Sequence, residues 1–469
     1  MLRHIVLLYA LFLLKTALNA QSYAIRDVTL IPMDRNISIP HQTVLIENGI
    51  ISKIGHLSKI KIPKSFTTIA GTDKFLMPGL MDMHAHFFQE QGEHVNTTAE
   101  ELKIMLANGL TTVRIMAGHP DYLEARGKVR NGQWIGPELY VASPQLVGSW
   151  PWPEEFKNFE VVDTHEKAIN AVKRFKAEGY DAIKLTFMLT REVFDAAILT
   201  AHEIGMKVTG HVGPQVKLPR ALQTGMQIEH MDEFIDQLLP DTTYNHGESV
   251  SDMNLWRPKA WATVPFLDED KIPGLARKVR DARVYVTPTN HFFFSSFGRG
   301  MSDEEIKSSP DFSYIPSSIR SERWRVRKYY QDAIMPAPEH REKYVRVREA
   351  LTYALWRAGV KLMAGSDSPE WFLVQGFSLH KELEAFTQAG LSPYASLQTA
   401  TVNPADYLGI GQRKGTVEIG KDADLLLLEA NPLEQVEYTR RIAGVFKGGK
   451  WYEKASLVKM LEEAKRVGE

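Results

Sequence analysis

A local pattern that repeats between about residues 99 and 370 constrains the fold most: an amphipathic helix, a glycine, then a short apolar strand. Glycine just past a helix is typical of a left-handed C-terminal stop, and a buried parallel strand is an apolar or β-branched run. The junction glycines are Gly109, Gly179, Gly205, Gly225 and Gly359. The strands predicted from this pattern are 79–83, 111–116, 139–142, 182–186, 207–211, 227–230, 284–288 and 361–365.

Strands that alternate with helices in this way predict an α/β fold, namely a closed (β/α)8 TIM barrel over residues 76–410. An open, doubly wound parallel sheet is the alternative. Residues 231–348 interrupt the regular pattern and are rich in Trp, Phe, Arg and Pro. Apart from the barrel strand predicted at 284–288, we expect this long insertion to form extended loops and helices above the barrel mouth.

The two ends of the chain are typical of antiparallel β-structure. Strands are predicted at 23–30, 43–54, 67–69, 425–428 and 445–452, with hairpin turns at Asn48-Gly49 and Gly448-Gly449. Neither half is large enough to bury a sheet face alone. We therefore expect residues 21–75 and 411–455 to combine into one small composite β-sandwich, followed by a helical tail at 456–469.

The composition excludes several classes of protein. The chain has 57 acidic and 56 basic residues, and 44% of its residues are hydrophobic, which is typical of a globular protein rather than a disordered one. The near-zero net charge argues against nucleic acid as a partner, because such a domain needs excess Lys and Arg. Cysteine is absent from the sequence, so any metal must be held by histidine, carboxylate or a less usual ligand.

The first 20 residues have the layout of a signal peptide. The apolar run from Ile5 to Leu14 is shorter than the roughly 20 residues of a spanning helix, and small residues lead to a cleavage site after Ala20. We expect an exported protein, periplasmic or extracellular, without stable membrane insertion. The sequence gives no indication of the oligomeric state.

Candidate metal ligands stand at or just beyond the C-terminal ends of the predicted strands, which is the end of a barrel where active sites form. They are His84, His86, Lys184, His211, His230 and Asp367. One His-x-His pair is a weak signal, but four histidines and an aspartate at one rim are a strong one. Imidazole suits zinc, and a carboxylate can both ligate a metal and take a proton.

Lys184 lies in an apolar strand and is expected to point into the barrel mouth. A buried ammonium tends to lose its proton, which makes a free amine available. The amine could form a Schiff base, react with carbon dioxide to give a carbamate that bridges two metals, or be merely structural. Beside four histidines the carbamate is favoured, because an unmodified cation would repel the metals.

Several runs are distinctive: FLMPGLMDMHAH at 75–86, GSDSP at 365–369 and GTVEIGKDADL at 415–425. They resemble the metal-dependent amidohydrolase superfamily. The run FSLHKELE at 377–384, followed by ATVNPA at 400–405, resembles its imidazolonepropionase and prolidase-like branch. The helical His380 in that run is expected to pack or to support the site.

The resemblance implies a distorted (β/α)8 TIM barrel that carries a composite β-sandwich. It also implies a binuclear metal centre bridged by a carboxylated lysine and a hydroxide. One metal would be held by His84, His86 and Asp367. The other would be held by His211 and His230, with modified Lys184 between the two ions. The expected cofactors are thus two divalent metal ions, with zinc favoured, and a CO2-derived carbamate.

The expected activity is hydrolysis of an amide-like C–N bond in a small molecule, such as a dipeptide or an N-acyl amino acid, with Asp367 as general base. Hydrolysis of esters, lactones or phosphotriesters, a non-catalytic metal-binding barrel and a Schiff-base lyase are the alternatives. The residues that contact the substrate are not identified by the sequence.

Two aromatic segments of the sequence each allow more than one role. Trp150 and Trp152 follow the third strand and could line a pocket or cover the rim, and their loop lacks the histidine common in the branch. The basic run RSERWRVRKYY at 320–330 is typical of a solvated helix face. The same run could also bind nucleic acid or shape a lid that holds a substrate carboxylate.

Overall fold

The computed structural model describes residues 21–88, 98–148, 158–231, 233–240, 255 and 258–465. The expected signal peptide, with its cleavage site near Ala20, and the tryptophans Trp150 and Trp152 lie outside the described residues. Among the helices of the described ranges, none is long and apolar enough to cross a membrane.

The strands form two sheets. In chain order they are β1 (Tyr23–Leu30), β2 (Ile39–Glu47), β3 (Ile50–His56), β4 (Thr67–Ala70), β5 (Phe75–Pro78), β6 (Leu80–Ala85), β7 (Leu110–Ile115), β8 (Glu138–Val147), β9 (Phe159–Val161), β10 (Ala182–Leu185), β11 (Lys207–Gly210), β12 (Gln227–Glu229), β13 (Val286–Thr287), β14 (Leu425–Leu428), β15 (Ile442–Lys447) and β16 (Lys450–Glu453).

The helices surround the second sheet and continue into the insertion. In chain order they are α1 (Thr98–Ala107), α2 (Pro120–Arg130), α3 (His165–Glu178), α4 (Arg191–Glu203), α5 (Leu218–Thr224), α6 (Pro258–Trp261), α7 (Ile272–Ala282), α8 (Asn290–Ser296), α9 (Asp303–Ser308), α10 (Ser317–Ala333), α11 (Pro338–Ala358), α12 (Phe377–Gln388), α13 (Pro393–Thr399), α14 (Val402–Leu408) and α15 (Lys454–Lys465).

The second sheet is a parallel barrel. Its order is β6-β7-β8-β10-β11-β12-β13, with the short β9 paired to the end of β8. Isolated parallel bridges from Val286 to Leu362 and from Ala85 to Ser368 close the gap between β13 and β6. The predicted (β/α)8 barrel is therefore confirmed, whereas the predicted eighth strand at 361–365 is reduced to bridges. Beyond this predicted strand the backbone is no longer extended at Asp367, which has a φ of 54°.

The helix–glycine–strand pattern predicted the local geometry correctly. All five junction glycines have positive φ: 82° at Gly109, 91° at Gly179, 67° at Gly205, 72° at Gly225 and 93° at Gly359. Such values suit glycine because it has no Cβ to collide with the backbone. The helices thus end where the sequence indicated, and each next strand turns back into the sheet.

Both ends of the chain build the first sheet, as predicted. Its order is β16-β15-β14-β5-β1-β2-β3, and β14 joins the C-terminal strands to the N-terminal ones by antiparallel pairing with β5. In a flat sheet β1 and β15 would be about 14 Å apart. The rings of Tyr23 and Phe446 on those strands are nevertheless 5.3 Å apart, so the sheet folds over its own core.

The described part of the predicted insertion is largely helical, from α6 to the first turns of α11. The basic run lies in α10, where the side chains of Arg327 and Tyr330 are buried while Arg325 and Tyr329 are exposed. One face of α10 therefore packs against the protein. At the C-terminus α15 packs against α1, which joins the helical tail to the barrel.

Candidate metal centre

Three predicted ligands meet at the carboxyl end of the barrel. The candidate donor atoms of His84, His86 and Asp367 all lie within 4.8 Å of one another. Asp367 Oδ1 is 3.2 Å from His86 Nε2 and 3.4 Å from His84 Nε2. Two imidazoles and one carboxylate at such distances form a donor set that fits a divalent cation such as zinc.

Backbone pairing explains how residues about 280 positions apart meet. The N–H of Asp367 donates to the carbonyl of His84 at 2.7 Å, and the N–H of His86 donates to the carbonyl of Ser368 at 2.7 Å. The approach is close, since a Cβ added at Gly365 would lie 2.6 Å from the Cβ of His84. Only glycine therefore fits at position 365, where the segment 361–368 that closes the barrel passes β6. We call residues 361–368 the closing segment.

The next two histidines extend the cluster from neighbouring strands. His211 follows β11 and His230 follows β12, and their rings stack with centroids 4.5 Å apart. The ring of His230 is also 4.6 Å from that of His84, and its Nδ1 is 3.7 Å from Asp367 Oδ2. His230 and Asp367 both have φ near 60°, an uncommon conformation for residues with a side chain.

Lys184 lies on β10, and its residue is 1% exposed. Burial holds the pKa of His84 and of His230 well below the usual range, and the nearby Lys184 charge acts in the same direction on both. The structure thus places all six predicted site residues around one rim. Their roles there remain predictions.

Hydrogen bonds orient the two buried imidazoles. The Nδ1–H of His84 donates to Oε2 of Glu229 at 2.7 Å. Nδ1 of His230 is 2.7 Å from the hydroxyl of Thr289, which itself donates to the carbonyl of Pro288 and so can accept. With Nδ1 protonated, each neutral ring carries its lone pair on Nε2, the protonation state that a metal ligand needs.

A polar network that the sequence did not reveal lies inside the barrel below His84. Arg114 donates to Oε1 of Glu229 at 2.6 Å and to Oε1 of Gln227 at 2.5 Å. The hydroxyl of Thr209 also donates to Glu229, and the Gln227 amide donates to Thr287 at 2.9 Å. All five side chains are buried, so the charge of Arg114 is compensated by Glu229 inside the protein.

A signal for this network is nevertheless present in the sequence. Gln227 and Glu229 alternate on β12 just before His230, within a strand that a parallel barrel buries on both faces. Such strands are normally almost continuously apolar. Two polar residues at alternate positions therefore mark an interior face that holds a charged partner, although the partner itself cannot be read from the spacing.

We predict that Glu229→Gln weakens both the fold and the metal site. The substitution leaves the buried Arg114 charge uncompensated, so the free energy of unfolding should fall by about 3–5 kcal/mol. It also removes the anionic acceptor that orients His84, so metal affinity should fall about 10- to 100-fold. Denaturant unfolding of metal-free protein and a metal titration measure the two effects separately.

Thr209→Val is the matched control, because it removes a hydrogen bond to Glu229 and keeps both charges. It should lower the free energy of unfolding by about 1–2 kcal/mol. Equal losses for the two variants would contradict a role for charge compensation in this network.

The run at 377–384 lies at the start of α12 and makes structural contacts. His380 is within 2.8 Å of the Thr439 hydroxyl and 3.0 Å of the carbonyl of Asn108, and burial lowers its pKa to about 3. Its neighbour Glu382 accepts the N–H groups of Asn290 and His291 at 3.0 and 2.6 Å. This anchors the start of α8, directly after the Thr289 that orients His230.

A cavity of about 390 Å³ opens beside His86. Its volume is in the range of small-molecule sites. Its wall combines apolar and charged side chains: His86, Phe87, Ala117, Gln145, Asn158, Phe159, Ile319, Glu322, Arg323, Val326, Pro369, Glu370 and Trp371. A small molecule bound there would lie against a candidate metal ligand.

Fold and site together define an α/β-barrel protein with a candidate metal centre at the carboxyl ends of its strands. The sequence model of the Amidohydrolase family matches residues 75–452, and the chain belongs to that family. This confirms the family predicted from the sequence and, at the level of the family, the predicted class of enzyme.

Short segments resemble curated proteins of the predicted branch. One is 50% identical over 42 residues to the imidazolonepropionase of Thermoplasma acidophilum, covering 9% of this chain and 10% of that protein. Another is 36% identical over 62 residues to the imidazolonepropionase of Thermoplasma volcanium, covering 13% of this chain and 15% of that protein. The matches thus span only a small part of these relatives.

Solved structures share the fold over most of the chain. A bottromycin amidohydrolase has a TM-score of 0.71 at 23% identity, covering 95% of this chain and 90% of that one. A Xaa-Pro dipeptidase with bound methionine in the active site has a TM-score of 0.66 at 21% identity, covering 92% of this chain and 100% of that one. At these identities the likeness supports the fold.

Proposed function

We propose that the protein is a metal-dependent hydrolase of amide-like C–N bonds. The observation that carries the proposal is the meeting of His84, His86 and Asp367 at ligand distances on the active rim of an amidohydrolase barrel. The second pair of histidines and Lys184 complete a donor set for two divalent ions, for which imidazole ligands favour zinc.

The donor set defines the role of the metals. His84, His86 and Asp367 would hold one ion, and His211 and His230 the other. Bound divalent ions polarise a carbonyl and lower the pKa of a coordinated water toward neutrality. The neutral state of the buried His84 and His230 supports ligation, since a protonated imidazole has no lone pair to offer.

We propose that Lys184 carries a carbamate between the two ions. The neutral amine would attack carbon dioxide, form an N–C bond and release one proton, which leaves an anionic carbamate. Starting from the ammonium, two protons are released in all. Its 1% exposure supports this step, because burial favours the uncharged amine. Its proximity to His84 and His230 supports it too, because an ammonium there would repel two cations.

Asp367 is the proposed general base. Its carboxylate lies 3.2 Å from His86 Nε2, and His86 lines the cavity in which a substrate would bind. There it can take the proton of an attacking water and return it to the departing nitrogen of the cleaved bond. One residue would thus serve both halves of the hydrolysis.

The proposed substrates are small: dipeptides or N-acyl amino acids. The cavity volume supports this size, and the names of a Xaa-Pro dipeptidase and a bottromycin amidohydrolase among the structural neighbours point to related bonds. Export from the cell, with cleavage after Ala20, stays a prediction that rests on the N-terminal sequence alone.

Metal removal tests the proposal. Protein loaded with zinc, manganese or cobalt should hydrolyse members of a panel of dipeptides and N-acyl amino acids. Chelation should lower the rate about 1,000-fold or more, since a Lewis-acid metal contributes several kcal/mol to the barrier. Adding the metal back should restore activity. The measurement is amine release, with metal content determined in parallel.

The same panel separates the alternatives when lactones, esters and phosphotriesters are included. Faster turnover of those compounds than of every amide would contradict amide hydrolysis and indicate a hydrolase of esters, lactones or phosphotriesters. Inactivity across the whole panel with two metals bound would favour a non-catalytic binding protein.

A further inference from the structure

Arg323 projects from the insertion helix α10 to the wall of the cavity beside His86. Its Nη1 atom is buried and donates to none of the described residues. Its guanidinium lies 5.2 Å from the ring centre of Phe88. Burying a guanidinium nitrogen without a hydrogen-bond acceptor costs free energy, so a ligand that supplies an acceptor should bind favourably at this position.

The neighbouring arginines of the same helix are used within the protein. Arg320 donates to the carbonyl of Ile315 at 2.6 Å, and Arg327 donates to Asp303 at 2.9 Å. Arg323 differs because its partner in the described structure is an aromatic face rather than an oxygen. Burial lowers its pKa to about 10, so the guanidinium is still cationic near neutral pH.

The charges around the cavity favour one type of anion as the ligand of Arg323. Glu322 and Glu370 line the same cavity and raise the pKa of Arg323 through their negative charge, yet neither accepts from its Nη1. Two carboxylates repel a dianionic phosphate more than a monoanion. A carboxylate also matches the planar guanidinium fork, which can hold both of its oxygens.

We propose that Arg323 binds the free carboxylate of the substrate and so makes the enzyme selective for amides of α-amino acids with an unblocked C-terminus. This rests on the proposed function, because the cleaved bond must lie between Arg323 and the metal centre. Ile319, Val326 and Trp371 on the cavity wall would contact an apolar side chain of the same amino acid.

The test compares N-acetyl-L-leucine with its C-terminal amide in the metal-loaded full chain. The acid should be hydrolysed with at least a tenfold higher kcat/KM than the amide. Arg323→Gln should raise KM for the acid about 10- to 100-fold, the range expected for lost charge-assisted hydrogen bonds, and leave the amide unchanged. Arg323→Lys should retain part of the preference.

Arg325→Gln is the matched control, since Arg325 is exposed on the same helix and lies outside the cavity wall. It should leave both KM values within about twofold, the usual range for an exposed substitution. Equal kcat/KM for acid and amide in the parent protein would overturn the proposal while metal-dependent hydrolysis stands. The same holds if Arg323→Gln affects both compounds equally.

Calorimetric binding of N-acetyl-L-leucine separates this proposal from the proposed function. If no compound is hydrolysed but the acid binds at least tenfold more tightly than the amide, and Arg323→Gln abolishes the difference, carboxylate recognition holds and the hydrolase proposal fails. Equal binding of acid and amide would overturn carboxylate recognition by Arg323.

Discussion

Asp367→Asn is expected to lower kcat for amide hydrolysis by about 100- to 10,000-fold, the usual contribution of a positioned acid–base group. The amide oxygen of asparagine can still ligate a metal, but it cannot take a proton at neutral pH. Asparagine also tolerates the φ of 54° at this position, so the closing segment should keep its shape. The measurement is kcat together with metal content.

Asp406→Asn is the matched control for this substitution. Asp406 is exposed and pairs with Tyr285 and Lys361, away from the residues of the candidate metal centre. It should leave kcat within about twofold, as is usual for exposed sites. A wild-type rate in Asp367→Asn with both metals retained would show that Asp367 is not the general base.

The fold was predictable where local sequence determines local geometry. Glycine junctions such as Gly179 and Gly359 have the positive φ expected of helix stops, and the turn at Asn48-Gly49 joins β2 to β3 as the dipeptide indicates. The eighth strand was predicted less well. Its apolar residues suggested a regular strand, but the segment pairs with its two neighbours only through the bridges at Leu362 and Ser368. The positive φ of Asp367 lies just beyond the predicted strand, where this residue meets the two histidines.

The site was predictable only for residues whose type suggests a metal ligand at a strand end. Glu229 and Arg114 lie 115 positions apart and pair inside the barrel. The sequence around either residue therefore does not indicate its partner. Arg323 is a similar case. A helical pattern tells which residues of α10 share a face, but the surface that this face meets, here a cavity beside His86, depends on the tertiary fold.

Lys184→Met is expected to reduce hydrolysis more than about 100-fold and to lower the bound metal from two equivalents toward one. Loss of a residue that only orients a metal ligand already costs about 10- to 100-fold, and a bridging ligand should cost more. In the parent protein, metal uptake after removal of carbon dioxide should depend on added bicarbonate. Metal content with and without bicarbonate is the measurement.

Lys207→Met is the matched control, because Lys207 lies at the opposite end of the adjacent strand β11 and contacts the carbonyl of Tyr407. Its metal uptake should respond to bicarbonate like that of the parent. A Lys184→Ala variant should regain part of its activity with acetate or propionate, since a free carboxylate can occupy the place of the carbamate. Covalent trapping of substrate on Lys184 by borohydride would instead favour a Schiff-base lyase. Full metal binding and activity in Lys184→Met would make the lysine structural, because a bridging ligand cannot be removed without loss.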